Sequence, residues 1–439
     1  MSIRATIARN LRFPSRARRL RAGPLLFLYA ILAFALLLAL FWAPCQRLLA
    51  GRVPGVGSDF LALSVGGEVV RDGNGGRLYD VAAQAHAQAT LLSRPGSPGN
   101  PEQLALYLYP PFVAAAFAAL DGLTPGVAFG LWACLNLAAL LFALWAVGRA
   151  AGSRRVLLYL VPAILTFLPI WMVLLRGQVA FLAMAALAGC YLALSRNQDE
   201  LAGACLAAGL AKPQLVIVPA LALLMARRPR AILGFGLGAI VLVAASLAVT
   251  GPAGLAGYGR LLIGAGQDTA ANSLVHPAWM YNWRGTSVRA LGLLSPDGFA
   301  PGLATAVYGL LDVATLALLG QAWRRLERPT SSQLAGLWAL SILAGVLVSP
   351  HLQEYDLALW LLAGALIALY YRAWEGGALS PAWRWLLLAA HALPTLLLAL
   401  VVLPMGLAWS AQIGVICTCV MAGALWRALM RTVPTHLAT

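Results

Sequence analysis

Mostly apolar stretches of helix length recur along the chain, at 24–43, 107–121, 126–148, 156–175, 178–194, 201–225, 231–250, 303–321, 334–349, 354–371, 384–402 and 406–426. Roughly 20 such residues are needed for a helix to cross the hydrocarbon core of a bilayer. The pattern predicts an all-α, polytopic membrane helix bundle of about twelve spans, the second and ninth shorter than ideal. Two long polar stretches interrupt it, at about 44–106 and 251–302. In the first, Asp59 to Arg71 and Asp80 to Leu92 read as short helices lying on the membrane surface, followed by a Gly/Pro/Ser turn region from Ser93 to Pro101. The expected organisation is a basic tail over 1–23, one membrane domain over 24–426 and a second tail over 427–439.

Composition strengthens this reading. Hydrophobic residues make up 61% and charged residues only 10% of the chain, against about 25% charged in soluble domains. The net charge of +16 does not point to nucleic acid, because the arginines sit in short clusters between apolar runs rather than on a basic face interleaved with aromatics. They read instead as orientation signals. The arginine-rich tail before Pro24 precedes a run longer than a signal-peptide core of about 7–15 residues, so it predicts an uncleaved first helix and a cytoplasmic N-terminus. Arg227/Arg228/Arg230, Arg324/Arg325/Arg328, Arg372/Arg384 and Arg427/Arg431 then also fall in the cytoplasm. Both long loops face the periplasm, and both termini lie inside. Arg149/Arg154/Arg155 breaks the rule under strict alternation; either that loop is an exception or one of helices two to six is a re-entrant pair. The six cysteines lack zinc or disulfide spacing and read as buried, inert thiols.

Against this apolar background the ionisable residues stand out. Asp59, just after the first helix, could accept a proton from a substrate hydroxyl or merely cap the helix that follows. Ser349-Pro350-His351-Leu352-Gln353-Glu354-Tyr355-Asp356 is a dense polar turn at membrane depth, where charge is costly; its bland reading is a solvated turn with Glu354 and Asp356 as caps. The second loop holds Asn272, His276 and Met280-Tyr281-Asn282-Trp283-Arg284-Gly285, a mixture suited to a sugar ring and a phosphate, or to an interfacial aromatic belt. Lys212, the only lysine, precedes Pro213 inside an apolar run; it either holds a lipid phosphate or snorkels from a broken helix. Arg176-Gly177-Gln178 and Tyr107-Leu108-Tyr109-Pro110-Pro111 are further polar interruptions.

Taken in order, Ser58-Asp59-Phe60, Leu78-Tyr79-Asp80, Tyr109-Pro110-Pro111, Arg176-Gly177-Gln178, Ala211-Lys212-Pro213, Tyr281-Asn282 and His351 before Tyr355-Asp356 resemble glycosyltransferase family 87, of the membrane-embedded type C class, over about 24–400. The resemblance implies transfer of mannose or a related hexose from a polyprenyl-phosphate donor to a glycan or glycolipid acceptor on the outer face of the inner membrane. It implies a single inverting displacement with Asp59 as general base, and a cation among Arg284, Lys212 and His351 for the leaving phosphate. Asp59 and His351 are thus the expected catalytic residues; Tyr109, Gln178, Lys212, Asn282, Arg284, Glu354 and Tyr355 are the expected substrate-binding ones. Many type C enzymes carry an acidic pair where this chain has the single Asp59, so no metal is expected. No cofactor is expected beyond the lipid-linked sugar as co-substrate; the other partners are membrane lipids. A carrier or flippase of lipid-linked saccharides is the competing reading, but no internal repeat is visible and the two asymmetric outer loops favour an enzyme.

Overall fold

The computed structural model describes residues 35, 57–94, 104–120, 122–152, 155–264, 277–294, 301–371, 380–399 and 406–432. The expected first span apart from Ala35, the N-terminal tail, Cys45, Asn272, His276 and residues 433–439 lie outside these; the expected second tail does not begin at 427, because the last helix continues through it to Arg431. All regular elements among the described residues are helical: α1 (Ser58–Arg71), α2 (Val81–Leu92), α3 (Pro111–Leu120), α4 (Pro125–Ala151), α5 (Arg155–Thr166), α6 (Leu168–Arg176), α7 (Ala180–Leu194), α8 (Asp199–Ala208), α9 (Ile217–Met225), α10 (Pro229–Gly264), α11 (Trp283–Leu294), α12 (Pro301–Arg325), α13 (Ser331–Val348), α14 (Leu359–Tyr370), α15 (Pro381–Ala399) and α16 (Gly406–Arg431). Short 3-10 turns add Gly75–Arg77, Gly209–Ala211, Pro213–Leu215, Pro277–Trp279 and Glu354–Ala358.

Five helices among the described residues, α4, α10, α12, α13 and α16, are long and apolar enough to cross a bilayer, fewer than the dozen expected. Three departures have clear causes. The run at 107–121 yields only the ten-residue α3; at 1.5 Å per residue it rises about 15 Å, half the hydrocarbon thickness, and it packs on α1 and α10 instead. The run at 156–175 breaks at Phe167, where Pro169 opens α6. The run at 201–225 is a hairpin rather than one helix. It unwinds through the 3-10 turns around Lys212-Pro213, and its two ends are tied together by Arg228 Nη1 on Asp199 Oδ1 at 2.7 Å, beside the looser Arg230–Glu200 pair. Both ends therefore lie at the same end of the bundle, and Lys212 is at the hairpin's tip.

The helices sort by what they face. α10 and α12 turn Leu237, Ile240, Val241, Leu310 and Val313 outward, apolar surface that only lipid can cover. α7 and α13 are almost wholly buried, so α7 can be short: its ends meet protein, not headgroups. Closest of all is α8 on α10, where Gly203 lies over the backbone of Ala231 and Gly234 over that of Glu200; a Cβ at either would overlap main chain. α10 continues past the expected loop boundary at 251 as far as Gly264, with its bend at Gly251 (φ 63°) before Pro252. Helices foreseen at 59–71 and 80–92 are present as α1 and α2, but α1 does not lie on a surface: it buries Phe60, Leu63, Val65 and Val69 in a core with α3. α2 is capped by Asp80, whose carboxylate accepts from Ala83 N at 2.8 Å.

Candidate active site

Asp59 occupies the first turn of α1 and is not its cap; that place belongs to Gly57, which has no side chain to offer. What places Asp59 is the preceding backbone, since Gly57 N donates to Leu175 O at 2.9 Å. The start of α1 is thereby docked on the end of α6, immediately before Arg176, Gly177 and Gln178. Gly177 ends α6 in the left-handed region (φ 72°), the conformation that glycine adopts without a Cβ penalty. Trp132 Nε1 donates to its carbonyl at 2.7 Å, which fixes the turn that carries Gln178.

Tyr109 lies on the irregular segment 104–110. Tyr79 Oη donates to Tyr109 O at 2.6 Å, Gln84 Oε1 accepts from Tyr107 N at 2.8 Å, and Tyr107 Oη donates to Pro110 O at 2.6 Å. So anchored, Tyr109 Oη donates to Gln178 Oε1 at 3.1 Å. The same oxygen accepts from Lys212 Nζ at 3.2 Å. Lys212 also donates to Asp356 Oδ1 at 2.5 Å and lies over the Tyr355 ring, 4.5 Å from its centroid. Lys212 is 2% and Asp356 0% exposed: a buried ion pair whose charges cancel inside the protein. Asp356 Oδ2 accepts from Gln353 N at 3.2 Å, so the capping role expected of Asp356 and its pairing with Lys212 coexist on one carboxylate.

Arg176 Nη2 stands 2.6 Å from Glu354 Oε1, close but not aligned as a hydrogen bond, and its guanidinium lies 5.5 Å from the Tyr355 centroid. Tyr355 is thus packed between two cations. Asp59 sits within the field of Arg176 and Lys212. Burial pushes its carboxyl above the ordinary carboxylate range, opposed by Arg176, a hydrogen bond from Gln178 and Lys212. Its Oδ2 is buried with no hydrogen-bond partner among the described residues. As a residue, however, Asp59 is only partly buried.

The remaining expected residues lie along the adjoining 349–352 turn. Asn282 Nδ2 donates to Ser349 O at 2.8 Å while its Oδ1 accepts from Gly285 N at 2.8 Å, capping α11. Tyr281 N donates to Leu352 O at 3.1 Å, and Arg284 Nη1 reaches Pro350 O at a long 3.4 Å. Asn282 is therefore fully engaged in holding the turn that bears His351. Burial, with Lys212 and Arg284 nearby, pushes the His351 imidazole down to about 4, so it is neutral near pH 7 and keeps one N–H to donate.

Asp59, Tyr109, Gln178, Lys212, Glu354 and Tyr355 thus meet in one cluster, and Asn282, Arg284 and His351 form a neighbouring turn. Two members, Arg176 and Asp356, carry no site role in the sequence reading. The signal for them was present in the cost of placing a charge in an apolar chain, which demands a partner for every buried ion. Of the cysteines expected to be buried, Cys134 is exposed on α4. Among the described residues no group of His, Cys, Asp and Glu side chains is arranged to hold a metal ion.

No curated protein and no solved structure matches the chain. The family model described as glycosyltransferase family 87 matches residues 107–350, more than half of the chain and the stretch that carries Tyr109, Gln178, Lys212, Asn282 and Arg284. The all-helical membrane architecture accords with it, and the chain belongs to glycosyltransferase family 87.

Proposed function

We propose that this membrane glycosyltransferase moves a hexose, mannose or a close relative, from a polyprenyl-phosphate donor to a glycan or glycolipid acceptor, by a single inverting displacement at the outer face of the cell membrane. The observation that carries the chemistry is the Asp59 Oδ2, a buried carboxylate oxygen without a partner beside two cations. A general base works best with a pKa near the operating pH, and a raised carboxyl moves in that direction. In the reaction Asp59 Oδ2 takes the acceptor hydroxyl proton as the acceptor oxygen bonds to the anomeric carbon. The bond from that carbon to the phosphate oxygen breaks, and polyprenyl phosphate leaves with the electron pair. Arg284, whose side chain makes one long contact among the described residues, to Pro350 O, and the neighbouring neutral His351 as N–H donor are the groups for the leaving phosphate.

The count of crossings supports this orientation. Taking the run at 24–43 as the crossing that the sequence predicts, and with α3 too short to cross, the chain from an inside N-terminus reaches Arg149 inside; the return of 199–225 to its own side keeps the later clusters there. Every arginine cluster then falls on one side, including the one that strict alternation misplaces. The same count brings Asp59, Tyr109, Arg176, Arg284 and the 349–356 turn to the opposite, outer side.

The decisive substitution is Asp59→Asn, which keeps the shape and removes the base. Transfer of labelled hexose from a synthetic polyprenyl-phosphate mannose to an envelope lipid fraction should fall by about 10²–10⁴-fold, with donor binding retained. Turnover above about a tenth of wild type would show that no base had been lost.

A further inference from the structure

Gln178 stands between Asp59 and the buried Lys212–Asp356 pair, and its orientation can be assigned from chemistry alone. A glutamine amide accepts at oxygen and donates at nitrogen, whereas a lysine ammonium only donates. The atom facing Lys212 Nζ at 3.2 Å must therefore be Oε1, and Tyr109 Oη supplies a second donor to it at 3.1 Å. The amide nitrogen is left to donate, and the acceptor beside it is Asp59, because Gly57 N on Leu175 O at 2.9 Å and Gly177 against the Phe60 Cβ dock the start of α1 on the turn that carries Gln178. Asp59 Oδ2 has no partner among the described residues, which leaves Oδ1 as the oxygen for the amide to hold. The ammonium of Lys212 has three donors, and its surroundings use them: Asp356 Oδ1, Gln178 Oε1 and the face of Tyr355. With Lys212 2% exposed, its contacts are spent within the protein.

Resting on the assignment of Asp59 as the base, we propose that Gln178 is a positioning residue that holds Asp59 by Oδ1 and leaves Oδ2 free for the acceptor proton, and that Lys212, locked by Asp356, fixes the Gln178 amide rather than gripping the donor phosphate. Tyr109 shares in the same task. The arrangement is directional: two donors on one end of the amide force the other end to donate. It ties the protonation of Asp59 to a residue that does not itself meet the substrate.

The test reads the Asp59 carboxyl directly, by infrared difference titration of the purified protein against its Asp59→Asn variant, alongside the pH profile of transfer from synthetic polyprenyl-phosphate mannose. Gln178→Ala removes the donor. Gln178→Glu keeps the shape but turns the donor into a carboxylate that pairs with Lys212. Both should raise the Asp59 midpoint by about one pH unit or more, the size expected when a charged acceptor loses one donor. The acid limb of kcat should move with it while the donor KM stays unchanged. Tyr109→Phe, which removes one hydroxyl, should shift the midpoint the same way by less, and it decides the matter if the Gln178 variants do not accumulate. An unmoved midpoint in the variants that fold overturns the proposal. Full turnover by Asp59→Asn would instead sink the base assignment, an outcome that the infrared shift distinguishes because it does not depend on catalysis.

Discussion

A carboxylate oxygen enclosed by protein without a hydrogen bond is expensive to keep, and at Asp59 the expense falls beside Arg176 and Lys212, where a proton can be taken and then lost. As the proposed base, Asp59 must be ionised to act, and burial raises its carboxyl, so transfer should fail on the acid side at a higher pH than an ordinary carboxylate near 4 would dictate. The limb should vanish with Asp59→Asn. The Lys212–Asp356 pair makes a sharper prediction about stability. Lys212→Met strands a fully buried carboxylate and should cost about 3–5 kcal/mol, whereas Lys212→Met with Asp356→Leu should recover most of it, as thermal unfolding in detergent will read. His351 gives a pH signature of its own. Its folded value of about 4 lies below the ordinary 6.5, so the unfolded chain binds the proton more readily, and stability should fall as pH drops through that window. His351→Gln should flatten the slope. Asp59, Lys212, Glu354 and His351 were legible as candidates because charge is scarce in this sequence. Their pairings were not: Lys212 and Asp356 lie 144 positions apart, and no local pattern links them.

Helix breaks, more than helices, build the site. Gly177 turns Gln178 inward, Lys212-Pro213 reverses a hairpin, and the Gln353 cap opens the turn with Glu354, Tyr355 and Asp356. Each was visible in sequence as a polar or proline interruption of an apolar run. Whether a run crosses or folds back was not visible, because a buried hairpin and a single span have the same composition. The ion pair from Asp199 to Arg228 is what shows the return. The hairpin is held to α10 by the Gly203 and Gly234 approaches, so Gly234→Leu should prise α8 from α10 and sharply lower the yield of folded protein. An equal substitution at Gly236, where a Cβ meets open space, should be tolerated. Comparable yields of the two would contradict this packing.

At the scale of the whole molecule, a wall of lipid-facing helices encloses a polar cluster built from chain segments that are distant in sequence. The proposed orientation has that cluster outside, and on it a fusion of alkaline phosphatase after Gly152 should be inactive while one after Ser97 is active. Activity at Gly152 would restore the strict alternation of spans and move the site's topology with it. The most direct measurement of the proposed reaction is the anomeric configuration of the product. The purified protein in lipid vesicles is given a labelled synthetic polyprenyl-phosphate mannose and an envelope lipid fraction, and the transferred sugar is examined by NMR. Single displacement at Asp59 predicts transfer with inversion at the anomeric carbon; transfer with retained configuration, or no movement of label into the lipid fraction, would contradict it.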